Sequence, residues 1–342
     1  MKRILLCLVT LLGLAVAAEA RAATKVVVGG TGSATDVGLW VADKLGYFRD
    51  EGIEVQFVTF DSAARMITSL ASGDVDVGAG AHSAGLFNAV ARGLDIRIVS
   101  DKSKNVVGRG SQKLLVRKDL VDSGRYKSFA DLKGMKIAGS APGSAAATVV
   151  LKFLEAGHLT PGDVDQVYMA FPSMVAAFQS KAIDAALPAE PSVTEALHTG
   201  AVVAVANDYD VYPVHQISEI LYSGQFATKD PDLARRFMRA YLRGVRFEND
   251  ALASDGSFAG PKGDEVVSIM AAYGPFKDEK LWRSFILSAC DPNGDLHVPS
   301  IQEDLDIFKA QGLIEGKVDL SKVIDTSFRD WAVAQLGPYV RK

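Results

Sequence analysis

The sequence predicts an α/β protein of two similar lobes facing a cleft, with a helical region near the carboxyl end that packs on the first lobe. Three observations carry this. One strand–helix–strand unit occurs twice, strands alternate with helices over roughly the first two thirds of the chain, and the remainder shows helical spacing without strands. The first copy runs Val55-Gln56-Phe57-Val58-Thr59-Phe60, then Ser62, then Gly73-Asp74-Val75-Asp76-Val77-Gly78. The second runs Val167-Tyr168-Met169-Ala170-Phe171, then Ser173, then Ala182-Ile183-Asp184-Ala185-Ala186. In each, a serine is placed to cap the helix, and a small residue with an aspartate opens the next strand. Two like units make two lobes, and the gap between lobes is where small ligands bind.

The elements follow in order. Lys2 and Arg3 precede an apolar run from Ile4 to Ala18, and Ala20-Arg21-Ala22 supplies small residues for signal cleavage after Ala22. The run falls short of the ~20 residues that span a bilayer, so residues 1–22 read as a signal peptide and the mature chain as periplasmic. Cys7 leaves with it, and Cys290 alone has no disulfide partner or metal-ligand neighbours and is expected to pack in a core. With 342 residues, 48% hydrophobic and 23% charged, the chain is long enough for two cores, and its formal net charge of −4 gives no footprint for nucleic acid.

Strand Lys25–Val28 enters the turn Gly29 to Asp36, and a helix carrying Leu39 and Trp40 ends at Gly46. After the first unit come Gly78-Ala79-Gly80-Ala81-His82-Ser83, a helix with Leu86, Phe87 and Val90, and strand Ile96–Val99. This alternation predicts a parallel sheet covered on both faces. The polar stretch Asp101 to Ser111, with Lys102, Lys104 and Arg109, reads as the crossing to the second lobe. There, strands Lys113–Val116 and Met135–Ala138 lead to Gly139 through Ala145 and a helix with Val149, Val150, Phe153 and Leu154. The return is expected between Val211 and Gln225, which assigns residues 23–104 and 225–342 to the first lobe and 105–224 to the second. Asp230-Pro231 caps a helix with Leu233, Phe237, Tyr241 and Val245 on one face, and further helices are expected over Glu265–Ala272, Lys280–Ala289, Ile301–Gln311 and Phe328–Leu336.

In such sheets the loops at the carboxyl ends of parallel strands ring a crevice, and the helices after them point unpaired N–H groups into it. Here those loops are small and hydroxyl-rich: Thr31 to Thr35, with Ser33, Ala34 and Thr35; Asp61 and Ser62; Gly80 to Ser83, with Ala81, His82 and Ser83; and Ser140 to Ala145, with Ser140, Gly143, Ser144 and Ala145. They favour an anion held by helix starts. Phe60, Phe171 and Tyr212 are candidates for an aromatic wall or for core. Glu190 and Asp61 are acids that either meet a ligand amine or serve structure, which keeps a zwitterionic or cationic ligand open.

Leu45-Gly46-Tyr47-Phe48 with Glu51-Gly52-Ile53-Glu54-Val55, Gly73-Asp74-Val75-Asp76, Gly143-Ser144, Leu159-Thr160-Pro161-Gly162-Asp163-Val164 and Ile183-Asp184-Ala185-Ala186 with Glu190-Pro191 resemble periplasmic substrate-binding proteins of ABC importers. The similar branch binds nitrate, sulfonates, taurine, aromatic carboxylates and pyrimidine precursors of thiamine. The resemblance covers about Thr24 to Thr228. It implies a type II periplasmic binding fold, crossed twice between lobes, a monomer that delivers a small molecule to an inner-membrane permease, and no cofactor. Carried over by position, the contacts fall on Ser33 to Thr35, Asp61, Ser62, Ala81 to Ser83, Ser140 to Ala145, Phe171 and Glu190. The first loop lacks the aromatic and proline often seen in sulfonate and taurine binders, and the best cleft loops lack lysine and arginine, so a doubly charged anion would rely on helix dipoles or on Lys102, Lys104 or Arg109.

A dinucleotide-binding oxidoreductase fits less well. Gly30-Thr31-Gly32 follows a strand, but Thr35 replaces the third glycine, and Asp61 comes 29 positions after Gly32 where ~20 is usual. No Gly-x-Ser-x-Gly elbow lies between a strand and a helix, the five histidines lack zinc-ligand spacing, and the cysteine-rich motif of pyrimidine-synthesising relatives has no counterpart. A sensor domain that hands its ligand to a membrane receptor would share this sequence pattern.

Overall fold

Two five-stranded sheets with the same internal order organise residues 23–341, the part of the chain described by the computed structural model. The expected signal peptide and Cys7 lie outside these residues.

In the first lobe, β1 (Thr24–Gly30) leads to α1 (Val37–Lys44), α2 (Tyr47–Asp50), β2 (Ile53–Thr59), α3 (Ala63–Ser72), β3 (Val77–Gly80), α4 (Ala84–Ala91) and β4 (Ile96–Asn105). The second lobe holds β5 (Lys113–Arg117), α5 (Lys118–Asp122), β6 (Lys136–Gly139), α6 (Ala145–Ala156), β7 (Asp165–Tyr168), α7 (Phe171–Gln179), β8 (Ala185–Ala186), α8 (Ser192–His198) and β9 (Val202–Asn207). The chain returns through β10 (His215–Ser223) to α9 (Gly224–Lys229), α10 (Pro231–Asp250), α11 (Gly260–Tyr273), α12 (Glu279–Arg283), α13 (Val298–Ala310), α14 (Leu320–Val323) and α15 (Ser327–Leu336).

The strand orders are β2-β1-β3-β10-β4 and β7-β6-β8-β5-β9. Each sheet is therefore mixed. The fourth position is filled by the strand that has just crossed between lobes, and that strand runs antiparallel to both neighbours. This corrects the expected all-parallel sheets: alternation within one lobe says nothing of a strand arriving from the other. It also moves the return boundary, since His215–Ser223 already pair with β3 and β4 while residues up to 224 had been placed in the second lobe.

The repeated aspartate has one job in both lobes. Val27 N donates to Asp76 Oδ2 at 2.8 Å, and Lys136 N donates to Asp184 Oδ2 at 2.9 Å, so Asp76 ties β1 to the segment that opens β3, and Asp184 ties β6 to the segment that opens β8. Ser173, expected as a cap, sits instead inside α7, which starts at Phe171 with Pro172 in its first turn. Glycines close α3 at Gly73 and precede α2 at Gly46, both left-handed.

The helices after β10 pack on the first lobe, as their apolar spacing requires. Asp230 caps α10 by accepting from Leu233 N at 2.9 Å, and its buried face, with Phe237, Tyr241 and Val245, joins Val26, Val28 and Leu39 in one core. Cys290 is a free, buried thiol in that core. The helix expected over Lys280–Ala289 is only α12, because the chain then turns to place Phe285 and Leu287 against Trp282 and α11. The second lobe has a core on each face of its sheet, around Phe153 and around Phe178. Among the described residues no helix is long and apolar enough to cross a membrane.

Candidate ligand-binding cleft

The carboxyl ends of β1, β2 and β3 face those of β6, β7 and β8 across a chamber with ≈ 580 Å³ of free space, its opening included. Its wall contains Thr31, Ser33 and Thr35 after β1, Ser62 to Ala64 at the start of α3, Gly80 and Ala81 after β3, and Ile217 and Ser218 of β10. The other lobe supplies Ser140, Ala141, Ser144 and Ala146 around the start of α6, Phe171 at the start of α7, and Ala189; Ser111 and Gln112 come from the crossing segment. Toward the mouth an outer space of ≈ 720 Å³ shares Thr31, Ser33, Phe171 and Ala189, and adds Phe60, Asp61, Glu190 and Tyr273.

The lobes touch across the chamber. Ala84 N donates to Gly143 O at 2.7 Å, and Ala34 N to Glu190 O at 3.0 Å. Ser83 and Ser144 pair as a short antiparallel bridge. Lys152 Nζ lies 2.7 Å from Glu303 Oε1, and Tyr212 OH donates to Glu303 Oε2 at 2.8 Å. The arrangement is a closed one.

Seven of the sequence-derived candidates line the chamber: Ser33, Thr35, Ser62, Ala81, Ser140, Ser144 and Phe171. Ser62 opens α3 without spending its hydroxyl on the cap, whereas Ser144 accepts from Ala147 N at 3.2 Å and donates to Ala141 O at 2.9 Å. The other candidates are placed differently. Ala34 and Gly143 serve the lobe contact through their backbones, and Ala145 is buried in α6. Ser83 is buried and caps α4, accepting from Leu86 N at 3.2 Å. Asp61 is exposed at the outer space.

His82 is corrected from ligand donor to structural hub. Fully buried, it sits with Nδ1 2.7 Å from Glu219 Oε1 and Nε2 2.8 Å from Asp304 Oδ2, and His215 Nε2 reaches the same Asp304 oxygen at 2.8 Å. Burial opposes its charge, but the carboxylates of Glu219 and Asp304 outweigh it and raise the imidazole to about 10. Neither acid was legible as its partner, since Asp304 is contributed by α13, more than two hundred positions along the chain.

Glu190 turns its carboxyl back to α8, accepting from Thr194 N at 3.0 Å. Burial pushes it up to about 7 against that N–H. Of the aromatics, Phe171 lines the chamber, Phe60 the outer space, and Tyr212 stacks on His215 at 4.1 Å.

Thr31, in the loop expected at the cleft, lines the chamber as well, whereas Ser111, Gln112, Ile217 and Ser218 were missed, because a crossing segment carries no mark of which residues face the cleft. Asp208 was missed too: its Oδ2 accepts from Ser111 N at 3.0 Å and Gln112 N at 2.8 Å, fixing the crossing segment. The wall offers hydroxyls, one amide, and the apolar groups of Phe171, Ile217 and several alanines, while the carboxyl of Glu190 and the ring of His82 face elsewhere. No group of side chains able to hold a metal occurs among the described residues.

The pattern that defines the NMT1/THI5-like proteins matches residues 34–250, more than half of the chain. The chain belongs to the NMT1/THI5-like family. A relative within reach by sequence is the taurine-binding periplasmic protein of Escherichia coli strain K12, 26% identical over 196 residues, which cover 57% of this chain and 58% of that one. The match thus spans under two thirds of the relative's length.

By fold, the periplasmic nitrate-binding protein of Synechocystis PCC 6803 superposes with a TM-score of 0.75 at 14% identity, over 92% of this chain and 89% of that one. The periplasmic aliphatic sulphonate binding protein of Escherichia coli does so with 0.67 at 19% identity, over 88% and 92%. A desulfurization enzyme shares the fold as well, with a TM-score of 0.62 at 16% identity, over 92% of this chain and 99% of that one. At these identities the likeness is one of fold. That fold is the two-lobe architecture of periplasmic binding proteins.

Proposed function

We propose that this chain is the periplasmic solute-binding component of an ABC importer, closing its lobes on a small organic anion, a sulfonate or a carboxylate, for delivery to an inner-membrane permease. The observation that carries this reading is the interlobe chamber itself, walled by hydroxyls from both lobes at the starts of α3 and α6, with the acids of Glu190 and Asp61 outside it. Helix starts and hydroxyl donors suit oxyanions. A zwitterion such as taurine, the ligand named for the relative, would need an acceptor for its ammonium, so an anion without an amine fits the inner wall better.

Magnitudes set what each part contributes. An anion at one helix start gains about 0.3–1 kcal/mol, and micromolar binding needs about 8 kcal/mol. Hydroxyl bonds in a chamber closed to water, at about 1 kcal/mol each, and burial of an apolar body against Ile217, Phe171 and the alanines, at about 25 cal/mol per Å², make up the difference. The lining is one for holding a solute, which favours transport over catalysis.

The test is the melting of the mature protein against alkanesulfonates, aliphatic and aromatic carboxylates, taurine, nitrate and pyrimidines. A ligand at a hundred times its dissociation constant stabilises by about 2.7 kcal/mol. Stabilisation by a pyrimidine or by taurine alone, with every simple anion inert, refutes the reading.

A further inference from the structure

A buried ammonium lies beneath the chamber floor. Lys102, on β4, has a side chain only 1% exposed, and its Nζ is 2.5 Å from Asp36 Oδ1. The same ammonium donates to Thr35 Oγ1 at 2.8 Å, to Ser218 Oγ at 3.3 Å and to Ala79 O at 3.3 Å. Thr35 and Ser218 both line the chamber. From Thr35 the hydroxyls continue: its Oγ1 is 2.9 Å from Ser33 Oγ, and Thr31 Oγ1 donates to Ser33 Oγ at 3.1 Å. Asp36 turns away from the chamber, its Oδ2 accepting from Gly32 N at 2.8 Å.

We propose that Lys102 sets the polarity of this hydroxyl chain, so that the chamber presents donors and selects a fully ionised oxyanion over an uncharged amide of the same shape. The inference rests on the reading of the chamber as an organic-anion site. An ammonium has only protons to give, so the oxygens of Thr35 and Ser218 accept from it and their own protons point onward. The Thr35 proton goes to Ser33, whose oxygen also takes the Thr31 proton. The Ser33 and Ser218 protons are then left to face the chamber. A hydroxyl that accepts from a cation is a stronger donor in its turn. Because Asp36 balances the charge of Lys102, selection comes from O–H direction and needs no exposed cation. Lys102 is thereby a positioning residue.

Three variants test this by calorimetry: Thr35→Val, which keeps the side-chain shape and the ion pair but cuts the relay; Thr35→Ser, which restores it; and Lys102→Met with Asp36→Asn, which removes both charges together. The probes are 1-butanesulfonate with 1-butanesulfonamide, and pentanoate with pentanamide. The wild type is expected to prefer at least one anion over its amide by roughly a hundredfold. Thr35→Val and the double variant lower that preference about tenfold or more by weakening the anion alone, and Thr35→Ser keeps it. A wild-type ratio retained in Thr35→Val, or equal losses for anion and amide, overturns the inference and leaves a structural role. Should the double variant not fold, Thr35→Val decides. If the wild type binds neither anion, the site reading has failed and the inference falls with it; that outcome is seen before any variant is made.

Discussion

Gly143→Ala puts the closed state under direct strain. Gly143 has φ +56, its carbonyl accepts from Ala84 N across the cleft at 2.7 Å, and an added Cβ would stand 2.8 Å from Ala84 Cβ and 3.2 Å from Leu313 Cδ1. Apolar carbons rest at roughly 3.5–4.0 Å, so the lobes would part here by about 1 Å. That stretches the Ala84–Gly143 hydrogen bond and the pairing of Ser83 with Ser144, together worth about 2 kcal/mol. At 1.4 kcal/mol per factor of ten, binding weakens roughly thirtyfold. The left-handed backbone adds a cost of about 1–2 kcal/mol for a residue with a side chain. This second cost is present with the lobes open or closed, so it lowers the melting temperature of the unliganded protein and leaves affinity untouched. Calorimetry with the tightest anion of the panel reads the first effect, and small-angle X-ray scattering with and without that anion reads closure. Wild-type affinity with the full ligand-induced contraction, in a variant whose melting temperature has dropped, would refute the assignment of Gly143 to the closed interface.

Two further outcomes follow from buried groups. Burial pushes the carboxyls of Asp101 and Glu190 up to about 7, Asp208 up to about 6 and Glu248 up to about 8. An acid raised in the fold keeps its proton where the unfolded chain has lost it, so stability falls as pH rises from the unfolded value through the raised one. His82, raised to about 10 by Glu219 and Asp304 against its burial, works in the same direction above its unfolded value. The melting temperature is therefore expected to be higher at pH 6 than at pH 8, and Glu248→Gln to flatten that slope and stabilise at pH 8; a wild-type slope in the glutamine variant would contradict this. Gly110→Ala would place a Cβ 1.9 Å from Asp208 Oδ1 and dislodge the carboxylate that holds the crossing segment, costing roughly 1–3 kcal/mol. An unchanged urea midpoint would show that the segment is held by something else.

What the sequence disclosed about the fold was the part encoded locally. The helix stop at Gly73 and the aspartates at 76 and 184 are visible because each is set within one short unit, and the same physical need writes the aspartate twice; the serine caps did not hold, as Ser62 makes no cap bond and Ser173 lies inside α7. The crossings were less visible because they are made of non-local pairings. β10 is buried throughout, yet Gln216, Ser218 and Glu219 interrupt its apolar pattern. Those residues face a polar interior: Gln216 Nε2 donates to Asp101 Oδ1 at 2.6 Å, and Glu219 holds His82. A strand that must satisfy buried acids reads as a loop when its partners are far away in sequence.

The candidate site divides along the same line. Small hydroxyl residues after β1, β2 and β6 line the chamber because a strand's carboxyl end followed by a helix start fixes where they point, whatever else the chain does. For His82 and Glu190 the residue type argued for ligand contact, but burial decided otherwise: each turns inward to a partner, Asp304 or the start of α8, that satisfies it better than a solute would. Lys102 shows the converse. Its charge was read, with those of Lys104 and Arg109, as one on which a doubly charged anion would rely. In the fold it is sealed beneath the floor with Asp36, and what reaches the chamber are hydroxyls that accept from it. A cleft without exposed charge, lined by oriented hydroxyls, gives up long-range attraction for discrimination at contact: it separates an acceptor from a donor of equal size, which a bare lysine in the wall would do only through net charge.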